Sequence, residues 1–187
     1  MIWVILIIIA VIVIGVIAFI AIRNGMVGAR NRVDEAWSGI DVQLKRRHDL
    51  VPNLVETVKG YATHEQKVFA ETSEARSEAM KATSIQATSN AEAKLSGSLA
   101  DLRAVAENYP ELRATENFQA LQRDLSEIED EIQASRRIYN SNVQSYNTRI
   151  QIFPNSMIAN SGGFTAREFF EIDRPAEREP VAVSFGN

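Results

Sequence analysis

The chain has 187 residues, with 24 acidic side chains against 20 basic ones and a formal charge of −4. An acidic balance argues against a nucleic-acid partner, because displacing phosphate counterions takes clustered Lys and Arg. No cysteine is present, which excludes a disulfide framework, a thiolate metal site and a cysteine nucleophile.

Met1 to Ile22 reads MIWVILIIIAVIVIGVIAFIAI, without one ionisable side chain. As a helix it would be about 33 Å long, close to the ~30 Å hydrocarbon core of a bilayer. A cleaved signal peptide would have a basic start, a shorter apolar run and a small-residue cleavage site. This stretch has none of these, so it reads as an uncleaved anchor over residues 1–24. Arg23, Arg30 and Arg32 follow it at once. The positive-inside bias then places the N-terminus outside a prokaryotic cytoplasmic membrane, crossed once, with the bulk of the chain in the cytoplasm.

Ala21, Gly25 and Ala29 are spaced by four and share a helical face with Val33 and Trp37. Small residues at that spacing let helices approach closely, which makes them a candidate self-association face. The competing reading is that Asn24-Gly25 loosens the junction between anchor and domain.

From Arg30 to Glu65 the apolar positions Val33, Trp37, Ile40, Leu44, Val51, Leu54, Val58 and Tyr61 alternate gaps of four and three. That coiled-coil-like repeat sets one stripe of a helix against partner helices. It misses once, at Arg47. Pro52 should kink the helix or make it restart around Asp49.

Thr63-His64-Glu65-Gln66 has the form of a capping box, opening a second helix through Val68, Ala75 and Met80 toward Thr83. Thr83 to Asn90 reads as a connector. Ser89-Asn90-Ala91-Glu92 is a further capping box, for a third helix through Leu95, Leu99, Leu102 and Val105 that ends at Asn108-Tyr109-Pro110. Whether these two helices stack as one broken rod or fold as a hairpin is left open.

The last helix is the clearest. Phe118, Leu121, Leu125, Ile128, Ile132, Tyr139, Tyr146, Ile150 and Phe153 recur on one side from Thr115 to Gln151, about 55 Å of helix. Its seam carries Tyr139, Asn142 and Tyr146, polar groups that need partners when buried. Arg47 and the polar face of the first helix are the candidates to supply them. Pro154 stops the helix. Residues 25–153 thus form a helical bundle, and 154–187 a packing segment and tail.

In that segment Met157, Ile158, Phe164, Phe169 and Phe170 must be covered, either by folding back on the bundle or by docking a partner. From Arg174, Pro175 and Pro180 among charges read as a poorly ordered tail.

Motifs for chemistry fail one by one. A di-iron bundle needs Glu-x-x-His pairs, but Lys45 and Tyr61 stand three residues before His48 and His64. The zincin pattern begins at His64-Glu65 and meets Val68 where its second ligand belongs. His64 reads as an exposed first-turn residue. No phosphate-binding glycine motif is present. His48-Asp49-Leu50 with Pro52 resembles the phosphorylated box of sensor histidine kinases, with proline one position early and no nucleotide-binding domain following. The competing reading is a surface histidine beside Arg46 and Arg47. Asp34 and Asp41 fit i,i+4 pairs with Arg30 and Lys45. These readings give no enzyme, no cofactor and no metal.

Taken together, the blocks RNRVDEAWSGIDVQLKRRHDLVPNLVETVKGYATHE (30–65), AEAKLSGSL (91–99), LRAVAENYPELRATENFQALQ (102–122), RRIYNSNVQSYNTRIQIFP (136–154) and GGFTAREFFE (162–171) resemble the LemA family. The resemblance implies an all-α fold: an N-terminal transmembrane helix followed by an elongated antiparallel helical bundle. It implies no established catalytic activity. Some members of the family are linked to membrane-organelle organisation, and others accompany membrane-protease or envelope-quality-control components. The expected function is a scaffold on the lipid bilayer that self-associates and organises membrane proteins or membrane shape. The alternative is an adaptor or regulator of a membrane protease or envelope partner, and the remote alternative a phosphotransfer or metal-dependent enzyme. A homo-oligomer and a membrane-protein partner are the expected associations, and nucleic acid is not.

Overall fold

The computed structural model describes residues 1–171, so the segment from Arg174 read as a tail lies outside the described residues. Among the described residues there are six helices and no strand, the all-α class expected: a long N-terminal apolar helix followed by a helical bundle.

Helix α1 (Ile2–Lys59) runs through 58 residues with Pro52 inside it, so the restart around Asp49 does not occur. Proline withholds the N–H that would bond the carbonyl four residues back, that of His48. Arg76 Nε donates to that oxygen instead, at 2.6 Å. The carbonyl is satisfied from outside the helix.

Helix α2 (Gln66–Lys81) begins where the capping box suggests, but without a side-chain cap. The Gln66 amide donates to the Thr63 carbonyl instead. Its buried stripe is Phe69, Thr72, Ala75 and Ala79; of the expected positions Ala75 is buried, Val68 half-buried and Met80 exposed. Helix α3 (Ile85–Glu107) starts earlier than expected, capped by Ser84, whose Oγ accepts from Ala87 N at 3.2 Å. Ser84 is in the extended conformation a cap requires, and Ser89 is helix interior. The connector is therefore only a few residues long, and α2 and α3 form a hairpin. Lys94 meets Glu78 at 2.8 Å and the Thr72 hydroxyl reaches the Ser98 carbonyl.

The short α4 (Pro110–Arg113) carries proline at its first turn. Helix α5 (Glu116–Gln151) matches the expected span within a residue. Thr115 Oγ accepts from Phe118 N at its start. The carbonyl of Ile152, beyond its end, then accepts from Ser156 N. A further helix, α6 (Asn155–Ser161), follows. Gly163, at φ 70°, turns the chain out of it in a conformation that other residues seldom adopt. Residues 164–171 are non-helical.

Contacts group the residues into two units, and α1 and α5 contribute to both. One unit is Met1–Val42 with Gln133–Phe169; the other is Gln43–Ile132 with Phe170 and Glu171. The segment from Pro154 to Phe169 groups with the residues that follow the apolar stretch. In the first unit Met26, Val33, Ile40, Tyr139, Val143 and Tyr146 are buried. In the second, Val51, Leu54, Val58, Leu95, Leu99, Leu102 and Leu112 form the centre of one apolar cluster. The heptad stripe of α1 therefore buries as expected, except that Trp37 is half-buried and Tyr61 exposed.

Candidate functional site

The first unit carries the apolar end. α1 is the one helix among the described residues long and apolar enough to cross a membrane. Every residue from Met1 to Ala21 is exposed, whereas Ile22 is half-covered and Met26 buried. A core helix of a water-soluble protein would be covered along such a stretch.

Below it, a polar seam clasps the C-terminal segment. Tyr139 OH donates to the Glu168 carbonyl at 2.9 Å. Asn147 makes a two-way amide contact with the backbone of Arg167, donating to its carbonyl at 2.9 Å and accepting from its N–H at 2.8 Å. Arg167 closes the clasp with Asp34 at 2.7 Å, and the Arg30 guanidinium sits over the Phe164 ring. Asp34 thus pairs with Arg167, where i,i+4 pairing with Arg30 was expected. Burial holds the Tyr139 hydroxyl well above its ordinary value, at about 12, only partly opposed by Arg167. Tyr146 is raised for the same first reason.

The second unit holds a buried charged network. Glu92 is fully enclosed; one carboxylate oxygen lies 3.2 Å from Arg47 Nη1 and the other 2.6 Å from His48 Nε2. Arg47 Nη2 also reaches Ser96 Oγ at 2.8 Å and Glu129 at 3.5 Å. Arg47 Nε has no hydrogen-bond partner among the described residues. An ionised carboxylate only accepts, which assigns the ring proton of His48 to Nε2. A Glu–His pair is capable of proton transfer, but both side chains are enclosed. What the network can do is fix which residues of α1, α3 and α5 face one another, because a wrong register would strand a buried charge.

The sequence-derived site residues fare unequally. Arg47 is buried as the seam reading required, but its partners are Glu92, Ser96 and Glu129, all in the second unit. Tyr139 finds the Glu168 carbonyl instead, while Asn142 donates to the first helix, at the Arg32 carbonyl, 3.2 Å away. Tyr146 is buried in the same unit. Of the small residues, Ala29 is buried, and a Cβ on Gly25 would stand 2.8 Å from the Arg149 guanidinium. Their close approach is thus used within the chain, and Ala21 alone is exposed.

In the C-terminal segment Phe164 and Phe170 are buried, Ile158 is half-buried, and Met157 and Phe169 are exposed. Folding back accounts for the first two. Phe153 departs from the α5 stripe, lying beyond the helix end and exposed. His48 is not a surface histidine, and Glu92 does not cap a helix start; it lies in the interior of α3. His64 is exposed, as expected. Among the described residues no three His, Cys, Asp or Glu side chains stand close enough to hold a metal ion.

Glu92 was the residue the sequence reading missed. The signal was present: Glu92 precedes Leu95, Leu99, Leu102 and Ala106 at the spacing of the buried stripe of α3. One charge on the stripe of α1 and one on that of α3 were a pair to be matched.

Comparison with known proteins agrees with this architecture. The LemA family pattern matches residues 36–185. Magnetosome protein MamQ 2 of Paramagnetospirillum magneticum is 27% identical over 199 residues, covering 90% of this chain and 73% of that protein. Magnetosome protein MamQ of Magnetospirillum gryphiswaldense is 25% identical over 170 residues, 77% of this chain and 62% of its own length. Protein LemA of Metamycoplasma hominis is 26% identical over 172 residues, 86% of this chain and 77% of its own.

Proposed function

The chain belongs to the LemA family, and from that premise we propose that it is a membrane-anchored, non-catalytic helical scaffold that self-associates and organises membrane proteins or membrane shape. The observation that carries this reading is the exposed apolar run from Ile2 to Ala21, continuous in α1 with the folded residues that follow. An exposed apolar surface of that length calls for lipid around it. Arg23, Arg30 and Arg32 on its C-terminal side favour a cytoplasmic folded part in a prokaryotic inner membrane.

Contact, not turnover, suits the rest of the chain. The acid–base pair of His48 with Glu92 is enclosed and already engaged by Arg47. Two relatives carry magnetosome names, and this supports a role at a membrane-associated assembly. Confinement to a bilayer raises the local concentration of copies, so weak lateral contacts accumulate. Because Gly25 and Ala29 are engaged within the chain, contacts between copies fall to the exposed span. An adaptor role would rely on Met157 and Phe169, the exposed members of the C-terminal group.

The test is the mass of the full-length protein in a mild detergent across a wide concentration range. A particle of several chains is expected. A single chain at every concentration overturns self-association.

A further inference from the structure

The end of α5 meets the end of the apolar stretch, and what it presents there is apolar. Three contacts fix the register of the two helices in the first unit. Trp37 stacks edge-on against Tyr139, with ring centroids 5.4 Å apart. Asn142 donates to the Arg32 carbonyl at 3.2 Å, and the Arg149 guanidinium lies where a side chain on Gly25 would point. As the α5 partner moves from 139 to 149, the α1 partner moves from 37 to 25. The helices are antiparallel here, and each further residue of α5 climbs about 1.5 Å toward the apolar run.

At the same rise Ile152, whose N–H still bonds the Thr148 carbonyl, comes level with Ile22 at the end of the run that Arg23 breaks, and Phe153 follows just past the helix end. The turn is held in shape. Ile152 N bonds the Thr148 carbonyl, Ser156 N bonds the Ile152 carbonyl, and the Asn155 amide returns to the Arg149 carbonyl at 3.0 Å. On this fixed turn Ile152 is 51% exposed, Phe153 80% and Met157 67%. A folded chain seldom offers three large apolar side chains to water at one place.

We propose that the turn joining α5 to α6 is a second membrane contact: Ile152, Phe153 and Met157 enter the headgroup–acyl boundary of the same bilayer that α1 crosses. The occupant is lipid because the patch continues the level of the apolar run, while Arg23 and Arg149 stand beside it for lipid phosphates. An apolar wedge flanked by arginines is the composition of an interfacial anchor. Two contacts, unlike one, fix the tilt of the first unit against the membrane plane. This inference rests on α1 being a span, and its test separates the two claims.

The natural chain has no cysteine, so single reporters are introduced without background. Full-length Phe153→Cys, Met157→Cys, Ile138→Cys and Ile12→Cys proteins carry nitroxide labels in phosphatidylcholine–phosphatidylglycerol vesicles. Relaxation by oxygen is compared with relaxation by a water-soluble nickel complex. All four positions are exposed, so folding is spared and is verified by circular dichroism. Ile138 lies roughly 20 Å farther down α5 and serves as the aqueous reference.

Labels at 153 and 157 are expected to favour oxygen over nickel several-fold, approaching the label at 12, while 138 favours nickel. Aqueous behaviour at 153 and 157 with a lipid-like 12 overturns the second contact and leaves the span. Aqueous behaviour at 12 overturns the span itself. Shielding of 153 from both relaxants, with broadening that vanishes on dilution by unlabelled protein, assigns the turn to contact between copies and overturns the lipid reading.

Discussion

Arg76 donates a 2.6 Å hydrogen bond to the carbonyl oxygen of His48, the oxygen that Pro52 leaves without its helical donor. A proline inside a helix costs about 3 kcal/mol, partly through that lost bond. A charged donor from α2 restores it and ties the hairpin to α1 at the same point. Arg76→Leu should lower the stability of the second unit by about 1.5–3 kcal/mol. In a Pro52→Ala background the helix supplies its own donor, so the same change should cost less. A double-mutant cycle by chemical denaturation in detergent measures the difference. Additivity within about 0.5 kcal/mol contradicts the coupling.

Glu92 balances Arg47 and accepts nothing from solvent, being fully enclosed. Glu92→Leu should cost about 3–5 kcal/mol, because it takes the close carboxylate from a buried guanidinium and leaves only the longer pair to Glu129. Replacing the three together, Arg47→Met with His48→Leu and Glu92→Leu, should recover most of that loss. Thermal unfolding of the set checks it. A triple variant as unstable as the single one would mean that the charges contribute more than mutual neutralisation.

The helices were largely legible in the sequence, and the polar connections were not. Periodic apolar residues and proline stops are local signals, which is why α5 was placed within a residue and Pro110 and Pro154 marked helix ends. The cap was placed at Ser89 because Glu92 follows it three residues on, whereas Ser84 fills that role. Arg76 could not be matched to His48, since no repeat relates positions so far apart. Glu92 was misassigned as the acidic member of a capping box, although its spacing from Leu95 put it on the buried stripe. The clasp at Asn147 answers a need the sequence did reveal, with a partner, the Arg167 backbone, that it did not.

The Asn147 clasp should govern how often the C-terminal segment lifts away. Asn147→Leu removes both of its bonds to Arg167 at an expected local cost of about 1–3 kcal/mol. Amide exchange at Arg167 should then quicken about tenfold or more. Unchanged exchange there would show that Phe164 and Tyr139 hold the segment alone.

Tyr139 gives the first unit a signature at alkaline pH. Burial raises its hydroxyl to about 12, against about 10 in an unfolded chain. Between those values the unfolded chain releases a proton that the folded chain keeps, so stability falls as pH rises through that window. Below about pH 10 this group adds no slope. Tyr139→Phe should lower stability at neutral pH by about 0.5–1.5 kcal/mol and flatten the decline between about 10 and 12. Denaturation profiles of the two proteins, compared across that range, give the answer; parallel declines contradict the assignment.

The central claim is that copies held in a bilayer by α1 assemble through contact. Energy transfer between donor- and acceptor-labelled full-length chains, mixed in one population of vesicles and diluted stepwise with lipid, tests it most directly. Transfer that persists on dilution, and vanishes only when unlabelled chain is added in excess, is the predicted result. Transfer that falls with lipid dilution to the level of chance encounters contradicts it.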